Sequence, residues 1–315
     1  MSKLKFDLKE WKEMNTFTND LKERLNKYLN QKDQYNQWGY LMDVGETFKT
    51  FDPDSSEYVW KEMEVYKKIY VGNAPHWSFW DMFDFENLKC ENNRLIAYAK
   101  TSDQWDKYES FCDAEKVEKW REWADRGILR IAGETDFNFS KGKGCLTKNT
   151  QKYEHYRELI ENKSESEKLD WCEKRTHSLE NFSLMLVPGE MNNIKGRGRD
   201  RIDKFIYILD GYFTEREEHK DDKYWHDIFS KAKGKNYKAE YQAICLEVIY
   251  EYLALFSNIE DYCEKIYKMD SKMVRDLIEL WEKISKMGEG LEDVENYMKL
   301  AEGYWQKKHD LIFHV

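Results

Sequence analysis

Residues that break helices are scarce in this chain, and their scarcity limits its fold more than any other feature. Only 3 prolines and 15 glycines occur in 315 residues, whereas a sandwich of many short strands needs such residues at its turns. The aromatic content of 16% is too high for a disordered chain. We therefore predict a folded, mainly α-helical protein with an aromatic core.

The C-terminal third carries the clearest helical pattern. Apolar residues recur there at intervals of three and four positions, the spacing that places them on one face of a helix. Signals for helix ends separate these stripes, among them the cap-forming pair Asp270–Ser271 and the glycines Gly288 and Gly290. The stripes cover residues 202–213, 241–256, 274–284 and 291–313. They predict a C-terminal helical bundle.

The N-terminal region has a more mixed pattern. Residues 95–99 and 128–132 are short apolar runs that predict two strands of a small sheet, the second bounded by Gly127 and Gly133. Residues 113–124, between them, predict a short helix with acidic residues in its first turn. We predict a mixed, mostly helical region with a few short strands over residues 1–195 and a helical bundle over 196–315, or one continuous domain.

An aromatic run over residues 77–85 follows neither the helical nor the strand period. Two interpretations stay open at this stage. The run forms a loop that packs on the core, as aromatic side chains commonly do, or it lines a ligand cleft or a partner surface.

Charge and cysteine usage restrict the partners and the compartment. The net charge of −10 disfavours nucleic acid unless basic groups are gathered in one place. The 6 cysteines contain no C-x-x-C pair, so we predict thiols without a zinc site. The N-terminal residues lack an apolar signal segment, and no run of 18 apolar residues occurs. We expect a cytoplasmic protein with no membrane contact.

One segment, residues 177–201, mixes polar side chains of functional types with a turn. It begins with a His-Ser-x-x-Asn-Phe-x-Leu motif at His177 and continues through Pro188 to an Asp at position 200 that opens an apolar helix. From His177 to Tyr212 the chain resembles a family of uncharacterised bacterial proteins of unknown function. That resemblance implies no activity.

The same segment is similar, more loosely, to the second half of His-Me finger (HNH-type) nuclease domains. Glu180 stands where that family usually has Gly, and the upstream acidic-His pair is represented by Glu154 and His155. The resemblance implies a nuclease in which His155 or His177 deprotonates water, an Asn holds the geometry and one Mg²⁺ or Mn²⁺ stabilises the leaving oxygen. The positions that match the family pattern are Asn181, Leu184, Asn192 and Lys195.

A structural interpretation of these residues competes with the catalytic one. In it, His177 and Asn181 hydrogen-bond backbone groups of an irregular loop. The basic turn that follows is a candidate anion site, because its glycines let the backbone approach a phosphate next to a helix N-terminus. A solvated turn with an Arg199–Asp203 pair is the alternative. The predicted anion-binding residues are Lys195, Arg197, Arg199 and Arg201.

No catalytic set is complete in this sequence. We therefore expect a binding or regulatory protein that acts through contacts with a protein partner, for instance in bacterium–phage conflict, without metal or cofactor. The alternative is the metal-dependent nuclease, with His177, Asn181, Asn192 and His155 as catalytic residues. In that case nucleic acid would bind through the basic turn alone.

Overall fold

A computed structural model describes residues 69–70, 80, 83–84, 89–91, 94–98, 114–126, 128–139, 172, 175, 178–187, 201–218, 223–230 and 239–313. These residues form seven α-helices and four β-strands. The protein is mainly α, with a helical C-terminal region and a few short strands before it, as the sequence predicts. Among the described helices, none has the length and apolar character that a membrane span requires.

Helices account for most of the described chain after residue 200. The apolar stripes predicted over residues 202–213, 274–284 and 291–313 lie on helices, as does the stripe over 241–256 up to Leu253, and the short helix predicted over residues 113–124 is confirmed as well. The helices are α1 (Ala114–Asp125), α2 (Ile202–Glu215), α3 (Lys223–Ser230), α4 (Ala239–Leu253), α5 (Ile259–Tyr267), α6 (Ser271–Met287) and α7 (Leu291–Phe313).

Local signals set the ends of α6. The Asp270 carboxylate accepts a hydrogen bond from the Met273 backbone N–H at 2.9 Å, so it satisfies one of the N–H groups that the first helical turn leaves without a partner. At the other end, Gly288 adopts a φ of 80°, a conformation that glycine adopts without strain. Both helix-end signals predicted from the sequence are confirmed.

Four strands form one antiparallel sheet in the order β1-β2-β3-β4. The two predicted strands are confirmed as β2 and β3, and they are neighbours, with Ile96 opposite Ala132. The strands are β1 (Lys89–Glu91), β2 (Arg94–Tyr98), β3 (Arg130–Thr135) and β4 (Phe182–Val187).

The sequence pattern predicted that Gly133 bounds its strand, and this prediction is wrong. Gly133 lies inside β3, opposite Leu184 of β4. The ring of Phe182 covers it so closely that a Cβ atom at this position would overlap the ring. The glycine is therefore a packing residue of the sheet, because it makes room for an aromatic side chain from the next strand.

Residues 182–187 form β4, a strand that the sequence pattern did not predict. A short 3₁₀ turn, Leu179–Asn181, precedes this strand. Leu184 and Met185 point to opposite faces of the sheet, and both are buried. β4 therefore has covered faces on both sides, and its near-continuous apolar run lacks the alternation that marks a half-exposed strand.

The core joins the sheet to the C-terminal helices mainly through aromatic rings. Phe137 and Phe139, just after β3, pack against Tyr297, Tyr304 and Trp305 of α7 at centroid distances of 5.1 to 6.4 Å. Within the aromatic run at 77–85, the described rings of Trp80 and Phe83 are buried, which confirms core packing for these two. The predicted boundary between residues 195 and 196 lies outside the described residues.

Candidate functional site

Asn181 binds backbone at the end of the sheet. Its side-chain oxygen accepts the Phe137 N–H at 2.8 Å, and its side-chain N–H donates to the Phe137 carbonyl at 2.6 Å. The same oxygen accepts the indole N–H of Trp305 at 2.7 Å. The side chain is fully buried. These contacts fit the structural interpretation of Asn181, and the residue ties the end of β3 to α7.

A second set of buried polar side chains lies beside Asn181. One oxygen of the Asp136 carboxylate accepts hydrogen bonds from the hydroxyls of Ser183 and Tyr304, both at 2.7 Å. The ammonium of Lys308 donates to the Ser183 hydroxyl at 3.1 Å and to the Phe182 carbonyl at 3.0 Å. We call Asp136, Asn181, Ser183, Tyr304 and Lys308 the buried polar centre.

The contact between Ser183 and Lys308 has the atom types of a Ser-Lys nucleophilic pair. Two observations indicate a structural role instead. Ser183 and Lys308 are 0% and 1% exposed, and the Ser183 hydroxyl donates to Asp136 rather than to an amine. Burial, together with the nearby Asp136 charge, raises the pKa of Tyr304 well above its ordinary value, so its phenol stays protonated. The centre binds elements of the fold together.

An ionic triad extends the centre along α7. The Glu180 carboxylate lies 3.2 Å from the Arg175 guanidinium and 3.0 Å from Nδ1 of His309. Burial would raise the pKa of Glu180, but the Arg175 charge and the His309 hydrogen bond outweigh it and lower that pKa to about 2. Burial lowers the pKa of His309 despite the opposing effect of Glu180. At neutral pH the triad therefore holds an ionised carboxylate.

Arg201 does not serve as the predicted anion-binding residue. Its guanidinium donates to both Asp203 oxygens, at 2.9 and 2.6 Å, and also to Glu289. It lies 4.1 Å from the ring centroid of Tyr297 and is 3% exposed. Burial opposes the charge, but the two carboxylates outweigh it and raise the pKa of Arg201 above its ordinary value. The sequence predicted an Arg199–Asp203 pair as the alternative to an anion site. In the structure Asp203 pairs with Arg201, whose guanidinium lies at the start of α2 and reaches the Glu289 carboxylate as well.

The other predicted site residues lie outside the described residues. Of the predicted catalytic set, Asn181 alone is described. Within the described part of the chain, no group of three or more His, Cys, Asp or Glu side chains could hold a metal ion. The remaining predicted residues, His155, His177, Asn192, Lys195, Arg197 and Arg199, stay predictions.

An open groove of about 390 Å³ lies between α6 and α7. Leu280 and Leu300 give it an apolar lining. At one end the Lys283 ammonium lies 2.7 Å from the Asp293 carboxylate, which also accepts the Gly290 N–H at 2.9 Å. That end of the groove is therefore part of the start of α7, and its polar groups already have partners.

The rest of the groove is lined by polar groups of a different kind. Glu279 and Lys299 are exposed, and Asn296 is partly exposed. Considering only the residues that the structure describes, none of these three side chains forms a hydrogen bond or an ion pair. They offer a carboxylate, an amide and an ammonium group around an apolar strip, an arrangement that can bind a polar ligand without breaking an internal contact.

Sequence reasoning missed most of the buried polar centre. Asp136 and Tyr304 are 168 positions apart, so no local spacing could connect them. The groove residues lie on helix faces whose charged pattern is typical of solvated surface. Only the folded structure shows which of these polar groups lack a partner among the described residues.

Comparison of the chain with protein-family models, curated proteins and solved structures gives no significant match. The resemblances of residues 177–212 therefore stay predictions.

Proposed function

We propose that this protein is a binding or regulatory protein that contacts a partner protein through the groove between α6 and α7. The observation that supports this role is a set of polar groups around Leu280 and Leu300 that have no partner among the residues the structure describes, namely Glu279, Asn296 and Lys299. An apolar strip with a polar rim is the usual composition of a protein interface.

The groove chemistry specifies the partner segment. A basic side chain of the partner would pair with Glu279, an acidic one with Lys299, and an apolar side chain between them would contact Leu280 and Leu300. Charge complementarity of this kind selects the partner and fixes its register more than it adds affinity. We further propose a cytoplasmic location, which the buried thiols Cys172, Cys245 and Cys263 support, because a reducing compartment preserves thiols.

Site-directed crosslinking tests the groove. A photoreactive amino acid replaces Asn296 in the full chain, and a matched control carries it at Lys265, which is exposed on α5. We expect a partner that crosslinks at position 296 and not at 265. Equal crosslinking at both positions, or a crosslinked dimer of this chain alone, would contradict the proposal.

Charge exchange then tests the predicted contacts with the purified partner. The double variant Glu279→Lys/Lys299→Glu keeps the net charge but reverses the groove. We expect its Kd to rise at least about tenfold, which corresponds to about 1.4 kcal/mol. The control exchanges the exposed pair Arg275 and Glu260, 2.9 Å apart, and should keep the wild-type Kd. Unchanged binding by the groove variant would rule out these contacts.

The nuclease alternative gains no support from the described residues, since Asn181 is occupied by backbone and by Trp305. Incubation of the full chain with DNA and RNA in Mg²⁺ or Mn²⁺ tests it directly. We expect no metal-dependent cleavage. Cleavage that disappears in His155→Ala or His177→Ala would replace the binding proposal with the nuclease.

A further inference from the structure

A separate cavity of about 330 Å³ lies where the end of α5, the start of α6 and the last turns of α7 meet. Lys268 lines it, together with Glu264, Asp270, Lys307 and Leu311. This cavity shares no lining residue with the groove between α6 and α7, so it is a second accessible site.

The backbone fixes Lys268 at this place. It caps α5 in the left-handed conformation, with φ 58° and ψ 29°, and its N–H bonds to the Cys263 carbonyl. The N–H of the next residue, Met269, bonds to the same carbonyl at 3.2 Å. Lys268 is the single non-glycine residue with positive φ within the described chain. Since glycine is the residue that favours this conformation, a lysine here needs an explanation.

The amine of Lys268 contacts an aromatic ring rather than a carboxylate. The Lys268 nitrogen lies 5.0 Å from the centroid of the Tyr70 ring, and Lys308 lies 5.6 Å from the same centroid. Of the acidic groups at the cavity, Asp270 is 3.3 Å from Lys307. Glu264 lines the cavity from the helix of Lys268 itself. The amine forms no hydrogen bond or ion pair with any residue that the structure describes.

Exposed lysines on α6 have the opposite environment. Lys272 lies 2.6 Å from the Asp276 carboxylate, and this hydrogen bond raises the pKa of Lys272. Burial, opposed in part by Glu264, lowers the pKa of Lys268 to about 8. A larger fraction of the Lys268 amine is therefore neutral near neutral pH, and the neutral amine is the nucleophilic form.

We propose that Lys268 is a covalent binding site for small aldehydes, which enter this cavity and condense with its amine to form an imine. The amine nitrogen attacks the carbonyl carbon, and a proton moves from nitrogen to oxygen to give a carbinolamine. The C–N double bond then forms as the hydroxyl group and the remaining nitrogen proton leave as one water molecule. No electron acceptor or donor is needed.

Reductive trapping with butanal and cyanoborohydride, followed by peptide mass spectrometry, measures the rate at each lysine of the full chain. At pH 7.5 we expect Lys268 to be labelled at least tenfold faster than Lys272. Equal rates at the two lysines would overturn the proposal.

Two variants separate cavity binding from a merely reactive amine. Lys268→Arg keeps a positive charge and should lose the fast label. Leu311→Trp leaves the amine in place but fills the cavity beside it, so it should reduce the Lys268 rate at least fivefold while that of Lys272 is unchanged. If Leu311→Trp labels Lys268 at the wild-type rate, the aldehyde does not bind in this cavity and the proposal is wrong.

Discussion

The buried polar centre and the groove between α6 and α7 contain the same kinds of residue in opposite states. Asn181 and Lys308 in the centre are bound to backbone and side chains on several sides and are buried. Asn296 and Lys299 in the groove have no partner among the described residues. The first pair holds the fold together, whereas the second pair faces solvent and is the one that we propose contacts the partner.

One helix supplies both regions. The inward face of α7 carries Tyr304, Trp305 and Lys308, and the face toward the groove carries Asn296 and Lys299. Residue type therefore does not distinguish the structural positions of this protein from those that we propose to be functional. Burial and the presence of partners distinguish them, because a buried polar group that loses its partner costs free energy and an exposed one is already solvated.

The two asparagines give the largest contrast. Asn181→Ala would leave the N–H and the carbonyl of Phe137 and the indole N–H of Trp305 without this partner. At about 1–3 kcal/mol for each buried group, we expect unfolding to become easier by about 5 kcal/mol. Asn296→Ala should change the free energy of unfolding by less than about 0.5 kcal/mol. Urea titration measures both, and similar values for the two variants would contradict the assignment of Asn181 to the framework.

The two lysines on α7 give the next contrast. Lys308→Met should lower the free energy of unfolding by about 4 kcal/mol, because it removes one charge of a buried network that contains Asp136. Lys299→Met removes an exposed charge that pairs with no residue in the described part of the chain, and it should change the free energy of unfolding by less than about 0.5 kcal/mol. In the binding experiment Lys299→Met should have the larger effect on the Kd, because Lys299 is the residue proposed to contact the partner.

Acid should destabilise the folded protein through the buried triad of Arg175, Glu180 and His309. The pKa of Glu180 is about 2 in the folded state, below its ordinary value of 4.5. Its stabilising contribution is therefore complete above about pH 4.5 and is lost as the pH falls toward 2. The shift corresponds to a contribution on the order of 3 kcal/mol. The lowered pKa of His309 acts in the same direction, beginning below about pH 6.5.

The variant Glu180→Gln isolates this contribution. Unfolding free energies at several pH values between 5 and 2.5 should fall less steeply in the variant than in the wild type. The slope difference should approach one proton, about 1.4 kcal/mol per pH unit, within this window. Parallel curves for the two proteins would mean that Glu180 titrates normally and that Arg175 does not stabilise its charge.

The sequence predicted the helices far better than the site. The stripes on α2, α4, α6 and α7 are local, and the caps Asp270 and Gly288 lie next to them, so the helical period sufficed. β4 was missed because both of its faces are buried, which removes the alternation that identifies a strand. Asp136 and Lys308 gave no signal, because their relation depends on how β3, β4 and α7 meet. Arg201 was misjudged because its charge was counted without the distant Glu289.

Gly133 is another residue whose role depends on how the strands meet. Its substitution gives the smallest loss of stability among the framework variants. Gly133→Ala should lower the free energy of unfolding by about 2 kcal/mol, because its Cβ overlaps the Phe182 ring. In a Phe182→Leu background the same change should cost less than about 0.5 kcal/mol, since the ring is gone. Gly303 on α7 is the control, because a Cβ there would lie 3.7 Å from the nearest atom, in Met273. Gly303→Ala should stabilise by about 0.5–1 kcal/mol. An equal cost of Gly133→Ala in both backgrounds would show that the backbone, and not Phe182, requires the glycine.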